Sequence, residues 1–288
     1  MIPDTRIAVI GLGLMGGSLA RALDVRGVHV LGYDRNGTHL DAALREGVVH
    51  DALDASLSGL RTAEVVIIAL PVDATIGLLP RLPSCLDAAR LVMDLASTKR
   101  SIVAAAEAAG LGPRFVGAHP LTGSHRSGWG ASRASLFEDA RVFLCPAPGS
   151  SSATLQLAES LWRELRAGVE VLGAATHDEQ MAWRSHLPHL LSSALAVTLR
   201  EAGVRRSALG PGGRDMTRLA GGSTTMWSPI VDDNAAAIAE ALGACEARLR
   251  DFREAIVGGD TVTTRRFLQS AVDWFDGEPE RVLTRGTA

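Results

Sequence analysis

Apolar runs bounded by glycine, proline or an acidic residue recur along the first part of the chain, with stretches of helical spacing between them. Arg6-Ile7-Ala8-Val9-Ile10 has no polar alternation, as expected of a strand buried on both faces. Val28-His29-Val30-Leu31-Gly32-Tyr33 is a second strand, and Val48-Val49 a short one. Ala63 to Leu70, Leu91 to Asp94, Arg114 to Gly117, Arg141 to Leu144 and Gly168 to Leu172 continue the series. Helical spacing fills the gaps from Leu40 to Arg45 and over 74–82, 99–109 and 152–166. Strands alternating with helices predict a mainly parallel, doubly wound sheet of Rossmann type. The Pro/Gly/Ser stretch at 146–152 is expected to be a loop within this domain, because a strand follows it.

After Gly173 the pattern is helical only. Thr176 and Glu179 have capping-box spacing. Leu187, Leu190, Leu191, Ala194 and Leu195 recur at 3.6 spacing, with Pro188 expected to kink the helix. Residues 234–257 and 261–275 predict two more amphipathic helices. The expected organisation is a Rossmann-type domain over 1–173 and an all-helical domain over 174–288.

The first turn carries chemistry. Gly11-Leu12-Gly13-Leu14-Met15-Gly16 lies between a strand and a helix. Gly11 permits the tight turn, Gly13 lets backbone approach a pyrophosphate, and Gly16 lets helix pack on strand. Asp34 ends the second strand, where an acidic residue holds the ribose hydroxyls of NAD; the alternative is a solvated turn residue. Arg35 could contact a 2′-phosphate, which Asp34 would repel, so NAD is favoured over NADP. The candidate cofactor set is Gly11, Gly13, Leu14, Met15, Gly16, Asp34, Leu70, Pro71 and Ser97.

The stretch Gly117 to Gly128 holds four glycines or prolines, two histidines and an arginine, and is expected to be an irregular loop at a strand end. Its His119 is the candidate base, since neutral imidazole takes a proton near pH 7. Gly11, Asp34, Pro71, Ser97 and His119 all follow predicted strands, so they should gather along the carboxyl edge of the sheet. His186 and His189 are three apart, but no third ligand matches them, and no metal site is expected. Arg214 and Arg218, four apart, are expected on one helix face, with Asp215 beside them.

Composition narrows the classes. Over 288 residues, 47% are apolar, 4% are aromatic and the net charge is −3. That is enough for a large core, and no basic block points to nucleic acid. Cys85, Cys145 and Cys245 are widely spaced and form no disulfide framework, which fits a reducing cytoplasm. A strand begins within six residues of Met1, leaving no room for a signal peptide, and no apolar run reaches the ~20 residues of a membrane span.

Taken together, the motifs resemble the prephenate, arogenate and cyclohexadienyl dehydrogenase family. The match runs through Gly11 to Ser18, Asp94 to Lys99, Gly117 to Gly123, Ser185 to His189, Arg214 to Ala220 and Met226-Trp227, in the family's order. The resemblance implies a Rossmann-type domain, a helical dimerisation domain and a homodimer. It implies oxidative decarboxylation of prephenate by NAD. His119 would take the proton of the ring hydroxyl, and Ser97 would position it. Arg218 would bind a substrate carboxylate and His186 the side-chain end, with Trp227 and Asp215 near the pocket. At His125 many relatives carry an acidic or amide residue; His125 and Arg126 therefore favour prephenate over the amino acid arogenate. The alternatives are a β-hydroxyacid or imine dehydrogenase and a non-catalytic NAD sensor. The first would call for a lysine in the helical half, and the chain's one lysine is Lys99.

Overall fold

The structure, a computed structural model, describes residues 5–123 and 126–277. Eight strands form one sheet: β1 (Arg6–Ile10), β2 (His29–Tyr33), β3 (Asp51–Ala52), β4 (Val65–Ile68), β5 (Leu91–Asp94), β6 (Phe115–Leu121), β7 (Arg141–Pro146) and β8 (Gly168–Val171). Their spatial order is β3-β2-β1-β4-β5-β6-β7-β8. Every pairing is parallel except β6 with β7. The expected short strand at Val48-Val49 is displaced to Asp51–Ala52, while both valines are buried against the sheet.

Helices α1 (Leu14–Asp24), α2 (Gly37–Arg45), α3 (Val72–Leu78), α4 (Arg100–Ala108) and α5 (Ser152–Glu164) connect the strands. Alternation along each strand divides the core between two faces. Ile7 and Val9 join Leu19, Phe137 and Trp162 in one cluster, whereas Ala8 and Ile10 join Ile68, Ile102 and Phe115 in the other. With both faces covered, the parallel strands read as unbroken apolar runs.

The chain divides into two compact units, Met1–Ala237 and Ile238–Ala288. The first therefore also holds α6 (Ala174–Met181), a π-helical turn at Ala182–His186, α7 (Leu187–Glu201), α8 (Pro211–Met216) and α9 (Thr224–Asp233). The π turn sits just ahead of Pro188, where the proline leaves a backbone carbonyl without its helical donor. Thr176 lies inside α6, whose N-cap is Gly173, so the expected capping box does not form. Helices α10 (Ala235–Val257) and α11 (Thr261–Asp276) follow. In the second unit Phe252 stacks on Phe267 at 4.3 Å, while Trp274 and Phe275 are 76% and 80% exposed. No helix among the described residues is long and apolar enough to cross a membrane.

Candidate active site

The glycine turn after β1 is built for close approach. Gly11 adopts φ +95°, and a Cβ there would lie 2.5 Å from the Ala69 carbonyl oxygen. A Cβ on Gly16 would lie 1.8 Å from the Gly11 carbonyl oxygen, so helix and strand meet backbone to backbone. Gly13 has nothing within 4 Å of the same position, and it caps α1 without a side-chain acceptor. The first-turn N–H groups of α1 thus face open space, a cradle suited to an anion. Asp34 follows β2 and accepts from the Leu12 N–H (2.7 Å) and the Asn36 N–H (2.7 Å), with His39 at 3.3 Å. Its oxygens keep lone pairs for ribose hydroxyls. Leu14 and Met15 are half-buried at the start of α1; Leu70 is half-buried and Pro71 exposed beyond β4. The turn, the helix start and the carboxylate together fit a dinucleotide.

His119 does not lie in a loop. Strand β6 runs to Leu121 and places His119 opposite Phe143 of β7. The glycines and Pro120 are tolerated because β5 stops at Asp94, opposite Gly117, leaving that side of β6 open from Ala118 onward. His119 therefore projects past the carboxyl end of its parallel neighbour, on the same edge as Gly11, Asp34 and Ser97.

Two residues not singled out from sequence hold His119. Its Nδ1 is 2.9 Å from Nε2 of His177, whose Nδ1 is 2.7 Å from the Asp178 carboxylate. All three side chains are buried. A carboxylate only accepts, so His177 carries its proton on Nδ1. Neutral His177 then accepts on Nε2, and His119 must donate from Nδ1. This leaves Nε2 of His119 as a lone pair. Burial holds the His119 imidazole well below its ordinary range, helped by the neighbouring His177 and His186, which disfavour a second imidazolium beside them, and by the Lys99 ammonium. Burial also lowers His177, against the opposing pull of Asp178. The His-Asp dipeptide at 177–178 was the available signal, but in sequence it merges with a helix start.

Asp178 has a second task. It accepts from the backbone N–H groups of Lys99 and Arg100, both at 2.8 Å, and so caps α4 from 78 residues downstream. These bonds and the one from His177 outweigh burial and hold its carboxyl below the ordinary range. Ser97 is half-buried in the β5–α4 turn, and its hydroxyl makes no hydrogen bond among the described residues.

His186 is buried behind this relay. Its Nδ1 faces the Asn234 amide at 3.2 Å, Nε2 has no partner among the described residues, and burial lowers it to about 4. Trp227 lies edge-on to His186 at 6.0 Å and stacks on His189 at 3.5 Å. His189 and Trp227 share a cleft of about 290 Å³. Arg218 does not line that cleft. Helix α8 ends at Met216, so Arg214 and Arg218 do not share a helix face. Arg218 lines a cleft of about 660 Å³ with Arg200, Arg205 and Arg206. Arg218 and Asp215 are both exposed, and no hydrogen bond, ion pair or ring contact joins either to His119, His186 or Trp227 among the described residues. His125 lies outside the described residues. No group of metal-ligating side chains occurs among the described residues.

The parallel sheet with its glycine turn, and the polarised histidine at the carboxyl edge, define a Rossmann-type dehydrogenase. The family model of the prephenate dehydrogenase nucleotide-binding domain matches residues 19–171, and that of the prephenate dehydrogenase dimerization domain matches residues 173–270. A prephenate dehydrogenase of Bacillus subtilis is 33% identical over 285 residues, covering 96% of this chain and 76% of its own. A cyclohexadienyl dehydrogenase of Zymomonas mobilis is 28% identical, covering 88% and 89%. The solved prephenate dehydrogenase of A. aeolicus, in complex with hydroxyphenyl propionate and NAD+, superposes with a TM-score of 0.87 at 28% identity, covering 95% of this chain and 98% of that one. The chain belongs to the prephenate dehydrogenase family.

Proposed function

We propose that this protein catalyses the NAD-dependent oxidative decarboxylation of prephenate to 4-hydroxyphenylpyruvate and CO2. The observation that carries the reading is the tautomer chain Asp178–His177–His119, which presents a buried, neutral imidazole lone pair at the edge of a dinucleotide fold. Gly13, the start of α1 and Asp34 would hold NAD, with Leu14, Met15, Gly16, Leu70 and Pro71 around it. NAD supplies the hydride acceptor when bound. His119 takes the proton of the ring hydroxyl as the carbon bearing it gives up its hydride, so that oxygen becomes a carbonyl; the ring carboxylate then leaves as CO2, and the electrons of the broken bond make the ring aromatic and the carbonyl a phenol. A positioned base of this kind contributes about 10²–10⁴ in rate. Ser97, with an uncommitted hydroxyl, orients the reacting oxygen. Arg218, which makes no ion pair among the described residues, receives a substrate carboxylate through its planar fork. His186, His189 and Trp227 face the side-chain end, and Asp215 stands near the entrance.

The dinucleotide part ends at residue 173, and residues 174–288 bind substrate and dimerise, giving a cytoplasmic homodimer. His125 and Arg126 favour prephenate over arogenate. The test is NADH formation with a panel of prephenate and arogenate against NAD and NADP. Turnover of prephenate with NAD is expected to exceed the other combinations in kcat/KM; a clear arogenate preference would remove the His125 argument. Arg218→Ala is expected to raise KM for prephenate with little change in kcat.

A further inference from the structure

Of the 29 basic residues in the chain, only Lys99 is a lysine, and it is fully buried. A buried ammonium is costly unless it is paired and hydrogen-bonded. Lys99 Nζ pairs with Asp94, which is also fully buried, and donates to the Ala118 carbonyl oxygen at 2.9 Å. That carbonyl belongs to the peptide bond that enters His119. The backbone N–H of Lys99 donates to Asp178 at 2.8 Å, the carboxylate that fixes His177. One residue therefore grips both the main chain at His119 and the relay on its Nδ1. The Lys99 stem passes over Gly117, where a Cβ would lie 2.9 Å from Lys99 Cδ. An arginine would replace this compact ammonium with a larger planar fork.

We propose that Lys99 is a positioning residue for His119, holding its backbone through Ala118 and its ring through Asp178 and His177. The proposal rests on His119 being the base. Lys99 does not touch the reacting atoms. Its ammonium also disfavours a second positive charge on His119. The groups that act on the imidazole are His177 from α6, Lys99 from the start of α4 and His186 from the π turn; behind them Asp178 of α6 and Asp94 of β5 face His177, and Cys145 of β7 faces Lys99, Asp94 and Asp178.

The test compares wild type with Lys99→Met, Lys99→Arg and the double variant Asp94→Asn/Lys99→Met, which leaves no buried charge unpaired. His119→Asn serves as the control. Each is assayed for NADH formation with prephenate from pH 5 to 9 and for NAD binding by calorimetry. We expect kcat to fall about 10²-fold, the effect of roughly 1 Å of misplacement, with NAD affinity retained. Removing the ammonium raises the His119 pKa, so the acid limb of kcat/KM moves to higher pH in the two Met variants. Lys99→Arg should not restore kcat. A folded variant with wild-type kcat and an unmoved limb, beside an inactive His119→Asn, overturns the proposal and leaves the base assignment standing. A fully active His119→Asn overturns the base assignment instead. If the Lys99 variants do not fold, the unaltered chain still gives an answer. With one lysine, ¹⁵N-lysine labelling yields a single side-chain ammonium signal. It should shift as His119 titrates and lose that response in His119→Asn; a signal that ignores the titration in both proteins overturns the proposal.

Discussion

The chemistry of this site turns on which nitrogen of His119 carries the proton. Asp178 settles that question from the far end of the relay, because a carboxylate cannot donate and so fixes His177, which in turn fixes His119. Asp178→Asn tests the chain of reasoning. The amide can donate to His177 Nδ1, reverse both tautomers and put a proton on His119 Nε2. We expect kcat to fall about 10²–10⁴-fold, in the range seen when a histidine base is held in the wrong tautomer, with NAD affinity retained. Unchanged turnover in this variant would show that the relay is not functional. The buried histidines also set the response to acid. His119, His177 and His186 have folded pKa values below the ordinary 6.5, and that of His186 is about 4. The unfolded chain therefore binds more protons between these values, and stability falls as pH drops from about 6.5 towards 4. Thermal melts should show Tm declining across that window, and His186→Gln should lessen the slope.

At the scale of elements, the glycine turn separates packing from binding. Gly16→Ala forces a Cβ against the Gly11 carbonyl oxygen and should lower Tm by several degrees. Gly13→Ala meets no atom within 4 Å. It should leave Tm unchanged yet weaken NAD about tenfold, roughly 1.4 kcal/mol, as calorimetry would report. Much of this architecture was legible in the chain. Strands buried on both faces give unbroken apolar runs, so β1, β4 and β5 stand out, as do the glycine turn and the long helices α10 and α11. The site was less legible where distant segments meet. Gly117 and Pro120 read as loop residues because the open edge beyond Asp94, which lets a strand carry them, is a property of the sheet and not of the local sequence. His177 and Asp178 read as a helix start because their partners, His119 and the first turn of α4, lie 58 and 78 residues away.

At the scale of the whole molecule, the exposed Trp274 and Phe275 of α11 are the kind of apolar surface that an oligomer covers. They lie just beyond the end of the match to the dimerization-domain model, at residue 270. The homodimer we propose should sediment at twice 30.2 kDa, and the double substitution Trp274→Asp/Phe275→Asp should shift it towards the monomer. A chain that sediments as a monomer at assay concentration would contradict that part of the account. The central claim is that His119 is the base in an NAD-linked oxidation of prephenate. It is tested most directly by following NADH formation from prephenate and NAD at pH 7.5 with wild type and His119→Asn side by side. The account predicts NADH and CO2 in equal amounts from the wild type. It predicts a kcat lower by about 10²-fold or more in the variant, with NAD affinity unchanged. A variant that turns over prephenate at the wild-type rate, or a wild type that forms no NADH from it, would contradict the account.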